Sequence, residues 1–283
     1  MTYLEAFKRI KHAIGIHNPR GRLDAILIHE DRNTDQRSLV TSDGLRLSVA
    51  LLNSAHRPLA KTIECRQIPK LKTEDAAVRF FIESADRAGT YPDWERVVPS
   101  SKPIVKIEVL RKEVIAACKQ IKTRNDAQYI CHQQEHAIQV AEALIAATTC
   151  EIAYLKAAMA NKSDPTFKSA WDHAKHVLKT KRQFGPSKIL GVLLNVKDDG
   201  TVQLSSPFKT DLSMSSSLTR RYGNVEKPAR FGVNADYVID ALTALRGKTH
   251  DAVSLEVYGE YEPIIFRSLD GTGFELIMPM RIP

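Results

Sequence analysis

Four groups of side chains in this sequence have the type and spacing to do chemistry. HQQEH, His132 to His136, puts two histidines four residues apart, on one face if the segment is helical. In the manner of inverted zinc proteases they could hold a metal, with Glu135 as base and Glu142 or Glu151 as a third ligand. The surrounding Gln-rich, amphipathic pattern offers no substrate cleft, so the motif reads as a solvated helix face. The ending FELIMPMRIP places Met278 and Met280 around Pro279. Methionine is unbranched and polarizable and moulds to varied apolar anchors, while proline lowers the ordering cost of binding. Such residues are either strand core or the wall of an apolar pocket.

The third group is basic. The net charge is +8, from 41 Lys and Arg against 33 Asp and Glu, a balance that suits a polyanion. Lys8, Arg9, His12, Arg20 and Arg22 lie in the first part of the chain; Lys112, Lys119, Lys122 and Arg124 lie on a later helix pattern, and Arg246 and Lys248 follow the last one. Contacts from these residues would touch phosphates and be sequence-independent. The fourth group is Cys65, Cys118, Cys131 and Cys150, which show neither CxxC pairing nor regular spacing. Disulfides and structural zinc are not expected, which fits a reducing cytosol. GTG at 271–273 has no following helix to hold a phosphate. No GxSxG, Walker or paired-carboxylate pattern occurs, so no catalytic residue, metal ligand or cofactor is assigned and no enzyme is expected. No apolar run is read as approaching the roughly 20 residues of a membrane span, so no membrane partner is expected.

The elements that must position these residues can be read from periodicity. Residues 3–14 form an amphipathic helix with Tyr3, Leu4, Phe7, Ile10 and Ile14 inward and Arg9 and His12 opposite. LDAILIHED is a strand, and SLVTSDGLRLSVALL is a strand pair turning on SerAspGly. Residues 74–88 suggest another helix, with Ala77, Phe80 and Phe81 inward. The prolines of YPDWERVVPSSKP mark a boundary, giving domains at 1–99 and 100–283. The second opens with a short strand and a helix burying Leu110, Val114, Cys118 and Ile121, with Lys112 and Lys119 on the opposite face. Residues 125–185 read as an inserted helical hairpin with Ser163 as N-cap and Gly185 as terminator. Its Phe167, Trp171, Ala174 and Leu178 stripe can pack on its own partner helix or on another subunit. Strands return as SKILGVLLNVKDDGTVQLSS and TDLSMSSSL, then the helix NADYVIDALTALR, then a meander over VSLEVYGEYEPIIFRSLDGTGFELIMPMRI. The whole is α+β, with helices packed on antiparallel sheets.

Four segments, in order, resemble the bacterial DNA sliding clamp, the beta subunit of DNA polymerase III. TSDGLRLSV at 41–49 is similar to the family's Thr-Asp-Gly-x-Arg-Leu turn, with Ser42 where Thr is usual. YPDWERVVP at 91–99 is similar to its Phe-Pro-Asp-Tyr-x-x-Val-x-Pro connector. ARFGVNADYVIDALTAL resembles the helix entry of its last domain, and ELIMPMRI resembles its C-terminus. The resemblance implies clamp-like domains around duplex DNA that tether a polymerase or repair proteins, with a clamp loader as a further partner, in the bacterial cytosol or nucleoid. It also implies a pocket for short clamp-binding peptides, carried over to Leu23, Ser42, Gly44, Arg46, Leu47, Pro92, Arg96, Val97, Pro263, Ile277, Met278, Pro279, Met280 and Arg281. The chain departs from the pattern in lacking the family's first domain, in the short stretch between Leu52 and Tyr91, and in the hairpin. With two domain-like units, a closed ring would be a homotrimer; a chain that makes no ring would be a peptide-binding adaptor.

Overall fold

The computed structural model describes residues 1–16, 23–31, 34, 36–53, 61–84, 91–160, 165–183, 191–207, 215–218, 220–246 and 251–281. Contacts within the backbone divide the chain into two compact units, one made of Met1–Lys122 with Leu190–Pro283 and the other of Thr123–Ile189.

The first unit opens with α1 (Tyr3–Ile10), started by a capping box in which Thr2 accepts from the Glu5 amide and Glu5 accepts from the Thr2 amide. A 3-10 turn extends it over Lys11–Ala13. β1 (Ala25–Glu30), β2 (Arg37–Ser42), β3 (Arg46–Leu52) and the short β4 (Thr62–Glu64) follow, then α2 (Glu74–Glu83). Tyr3 stacks on Phe81 at 5.0 Å, and Ile26, Leu39, Ala50 and Ala77 complete a core between α1, α2 and these strands. Phe80 is half-buried at its margin. A 3-10 helix over Trp94–Val97 leads to β5 (Val105–Leu110) and α3 (Arg111–Met159).

α3 corrects the expectation of a helix near 111–121 followed by a separate hairpin. It runs unbroken for 49 residues, because no Gly or Pro interrupts it. Val114, Ala117, Cys118 and Ile121 are buried as the spacing requires, but Leu110 ends β5 and is only half-buried. α3 also carries an 18-residue window apolar enough to match a membrane span in composition, 6% of it buried, which corrects the reading that no such run exists.

The second unit pairs α3 from Thr123 onward with α4 (Pro165–Gln183). The seam is made of small and aromatic residues. Ala143 and Ala147 are buried, Tyr154 stacks on Trp171 at 5.3 Å, and the His136 ring lies 2.7 Å from the Lys181 carbonyl. Trp171 thus packs on its own partner helix, while Phe167 is 40% exposed. The expected cap and terminator, Ser163 and Gly185, lie outside the described residues.

Back in the first unit come β6 (Gly191–Val196), β7 (Val202–Ser205), β8 (Ser215–Leu218), β9 (Arg220–Val225), β10 (Ala229–Asn234), α5 (Ala235–Ala244), β11 (Ala252–Val257), β12 (Ile264–Ser268) and β13 (Gly273–Ile277). β6 and β7 turn through Asp198-Asp199-Gly200, with Gly200 at φ 79°. Among the described residues nine strands form one antiparallel sheet in the order β4-β1-β2-β3-β13-β12-β11-β5-β9, and four form a second, β10-β6-β7-β8. The long sheet draws strands from both sides of residue 99 through the β3–β13 pair, where Leu47 faces Leu276 and Ser48 faces Glu275. Side chains alternate across a strand, so β13 serves two faces. Ile277 joins the core under α3 and α5, whereas Leu276 packs with Val40, Leu47, Val49 and Ile265 on the other side.

Candidate functional site

The turn between β2 and β3 is fixed by Asp43, whose Oδ1 accepts the amides of Leu45 and Arg46 at 3.0 Å, and by Gly44 at φ 90°. Beyond β13 the chain is pinned twice. The Met278 amide donates to Leu45 O at 2.9 Å, and the Met280 amide donates to Gly232 O at 2.8 Å. The connector around Trp94 crosses the same face of the sheet, with Trp94 6.4 Å from Phe274 and 5.2 Å from His29. Between turn, connector and tail lies a cavity of about 250 Å³.

Its wall contains Leu23, Ser42, Gly44, Arg46, Leu47, Pro92, Val97 and Met278, eight of the residues anticipated from sequence. It also contains Tyr91, Asp93, Trp94 and Leu276, which were not anticipated. The remaining anticipated residues do not line it. Ile277 is turned to the opposite face by strand alternation and is 1% exposed. Pro263 is buried, Pro279 is half-buried, and Met280 and Arg281 are exposed. Arg96 is exposed and pairs with Asp93 at 2.8 Å. Two sequence signals point to three of the four unanticipated residues: the aromatic residues of YPDW give Tyr91 and Trp94, and the period-2 relation to Met278 gives Leu276.

Arg46 is committed to the fold. Its guanidinium donates to Asp43 at 2.9 Å, Asp240 at 2.7 Å and His12 O at 2.6 Å, and lies 4.4 Å from the centre of the Tyr237 ring. Burial works against its charge, but these partners hold its pKa above the ordinary value. Burial likewise raises the Tyr91 phenol. The wall therefore presents apolar side chains and an aromatic edge, with Ser42, Asp93 and the Tyr91 hydroxyl as polar groups beside the committed Arg46.

The basic residues divide. Arg9 and His12, anticipated on the solvent side, are instead tied into the fold. Arg9 is 5% exposed and donates to Thr272 Oγ1 at 2.8 Å. Gly273 makes the room: a Cβ there would stand 3.1 Å from Arg9 Nη1. His12 sits 3.1 Å from Glu275, whose other oxygen accepts from Ser48. Burial pushes the Glu275 carboxyl up, against the pull of His12, Ser48 and Arg9. Lys122 pairs with Asp236, and Lys112, though 78% exposed, lies 3.3 Å from Asp251. Lys8, Lys119, Arg124 and Arg246 are exposed. Arg20, Arg22 and Lys248 lie outside the described residues. Among the described residues no group of three His, Cys, Asp or Glu could hold a metal.

No family model and no curated protein sequence matches the chain. Solved structures do. The DNA polymerase sliding clamp of Bacillus subtilis superposes with a TM-score of 0.60 at 12% identity, covering 99% of this chain and 62% of that one. The DNA polymerase III beta chain of Streptococcus pneumoniae gives 0.61 at 14% identity, with the same coverage. The Helicobacter pylori beta clamp bound to a DNA ligase peptide gives 0.57 at 15% identity, covering 98% of this chain and 63% of that one. Helices on antiparallel sheets, with the turn, connector and tail meeting at one cavity, thus give this chain the bacterial sliding-clamp fold, over less than two thirds of those clamps' length.

Proposed function

We propose that the chain is a clamp-like module that captures short apolar peptides of replication or repair proteins in the cavity at β3 and β13, and holds duplex DNA through phosphate contacts. The observation that carries this reading is the convergence of Leu23, Leu47, Val97, Leu276 and Met278 with Trp94 on one cavity. Those residues come from widely separated segments, and an apolar concavity with few polar groups suits a peptide's anchor side chains. The pinned tail keeps Met278 in place before a peptide arrives, which lowers the cost of binding. The similar Helicobacter pylori beta clamp, bound to a DNA ligase peptide, supports peptide capture as a use of this fold.

Titration of a fluorescein-labelled clamp-binding peptide, such as that of a DNA ligase, tests the cavity. Met278→Glu would set a charge against the bound anchor and is expected to weaken binding by about tenfold or more. Deleting residues 278–283 should abolish binding while melting stays cooperative. Unchanged affinity in both variants would refute the site. Trp94 adds an internal probe: in a Trp171→Phe background its emission should shift to the blue as peptide fills the cavity.

One observation favours an adaptor that makes no ring. Among the described residues the long sheet ends at β4, three residues long, which offers little edge for a neighbouring chain to extend. A trimer mass in solution would restore the ring reading.

A further inference from the structure

The face of α3 turned away from α4 carries a second apolar pattern. Ile138, Ile145, Ile152 and Met159 recur at intervals of seven and are 59%, 66%, 49% and 87% exposed. The seam with α4 uses His136, Ala143, Ala147 and Tyr154; Ile138 and Ile145 lie two positions on from His136 and Ala143, and Ile152 two before Tyr154, each about half a turn around the helix. The isoleucine stripe is therefore on the side opposite the hairpin's own seam. Surface helices ordinarily hide such a stripe, and a strict seven-residue repeat, unlike a 3.6-residue one, is the period of a supercoiled partner helix.

We propose that this stripe is the seam of a parallel, two-stranded coiled coil with the same helix of a second copy of this chain. With Ile138 at position a, the following d positions are Ala141, Thr148 and Leu155. β-branched residues at a, with leucine among the d residues, favour two parallel strands. The charges agree. Glu151 falls at g and Lys156 at the e position of the next heptad, so in a parallel, in-register pair each Glu151 meets the Lys156 of the other copy, twice by symmetry. The repeat spans about 32 Å from Ile138 to Met159 at 1.5 Å per residue. The low burial of the apolar window in α3 is the condition such a contact relieves. Cys131, exposed and one heptad before Ile138, also falls at a, so two copies would bring their Cys131 thiols face to face. This contact is independent of the peptide cavity and has two-fold symmetry, unlike the head-to-tail contact of a ring.

Sedimentation equilibrium of the full chain at several concentrations is expected to show a mass of twice the chain. Ile145→Glu with Ile152→Glu should raise the dimer dissociation constant by about a hundredfold or more. The same positions changed to Lys should do likewise, and mixing the Glu and Lys chains should restore a heterodimer, a rescue that misfolding would not allow. Diamide, reduced to its hydrazine as two thiols become one disulfide, should cross-link the wild type through Cys131, and Cys131→Ser should remove the product. A monomer at every concentration overturns the proposal, as does a dimer indifferent to the Glu pair or one that does not cross-link at Cys131. A monomer that instead binds phosphatidylcholine vesicles through the same isoleucines overturns it in favour of a membrane surface.

Discussion

Glu256 lies on the sheet face away from α3, its side chain 4% exposed, with Lys106 at 3.1 Å, Arg267 at 3.2 Å and the Tyr258 hydroxyl at 3.0 Å. Burial pulls its carboxyl upward, but the hydrogen bonds and charges of Arg267, Lys106 and Tyr258 outweigh burial and hold it below the ordinary 4.5. With the folded pKa depressed, the unfolded chain binds more protons in this range, and stability rises with pH. The contribution is present above 4.5 and lost as pH falls through the folded value. Glu256→Gln is expected to cost about 1–2 kcal/mol at neutral pH, discounted for the exposure of Lys106 and Arg267, and to flatten the acid limb below 4.5. Urea midpoints of both proteins across that range check it; parallel limbs would refute the assignment. Single residues were unevenly legible. Met278 and Leu47 could be placed from the motifs that carry them, but Ile277 could not be separated from Met278 without strand parity. Arg9 and His12 looked solvent-facing because their partners, Thr272 and Glu275, lie 263 residues away in sequence.

Among the elements, those closed by local chemistry were the readable ones. Gly44 and Gly200 mark their turns, and the apolar spacing of α1 and α5 marks their buried faces. The composition shift near Asn125 suggests a break in α3, although a change from apolar to Gln-rich composition does not end a helix that lacks Gly and Pro. The β3–β13 and β5–β9 pairings are non-local and left no local trace. In the latter, Gly223 opposes Ile107 at φ 136° beside a register shift. A Cβ there would stand 2.1 Å from Lys106 O and 2.5 Å from Ile107 Cα. Gly223→Ala is therefore expected to destabilise by about 1–3 kcal/mol or more, seen as a lower melting temperature, whereas Gly271→Ala meets no atom within 4 Å and bears only the conformational cost of its φ of 68°. Equal losses in the two would show that close approach at β9 is not what requires glycine.

For the whole molecule, the proposed phosphate contacts rest on the net charge of +8 and on exposed Lys112 and Lys119. Reversing both to Glu should weaken binding to unrelated duplexes equally. The slope of log affinity against log salt should flatten by about 0.9 for each phosphate that is no longer neutralised. Sharp discrimination between sequences would instead require base readout and count against the clamp reading. The β3–β13 pair has one more consequence, in time. During synthesis β3 has its partner β2 at once, but its other edge must wait for Gly273–Ile277. At about 5–20 residues per second, the roughly 220 residues between Leu52 and Gly273 take about 10–45 s to be made. Through that interval the nascent chain holds an open apolar edge and only part of the cavity wall. On the proposed reading, a partner's peptide would be captured only by a chain whose β13 has already left the ribosome.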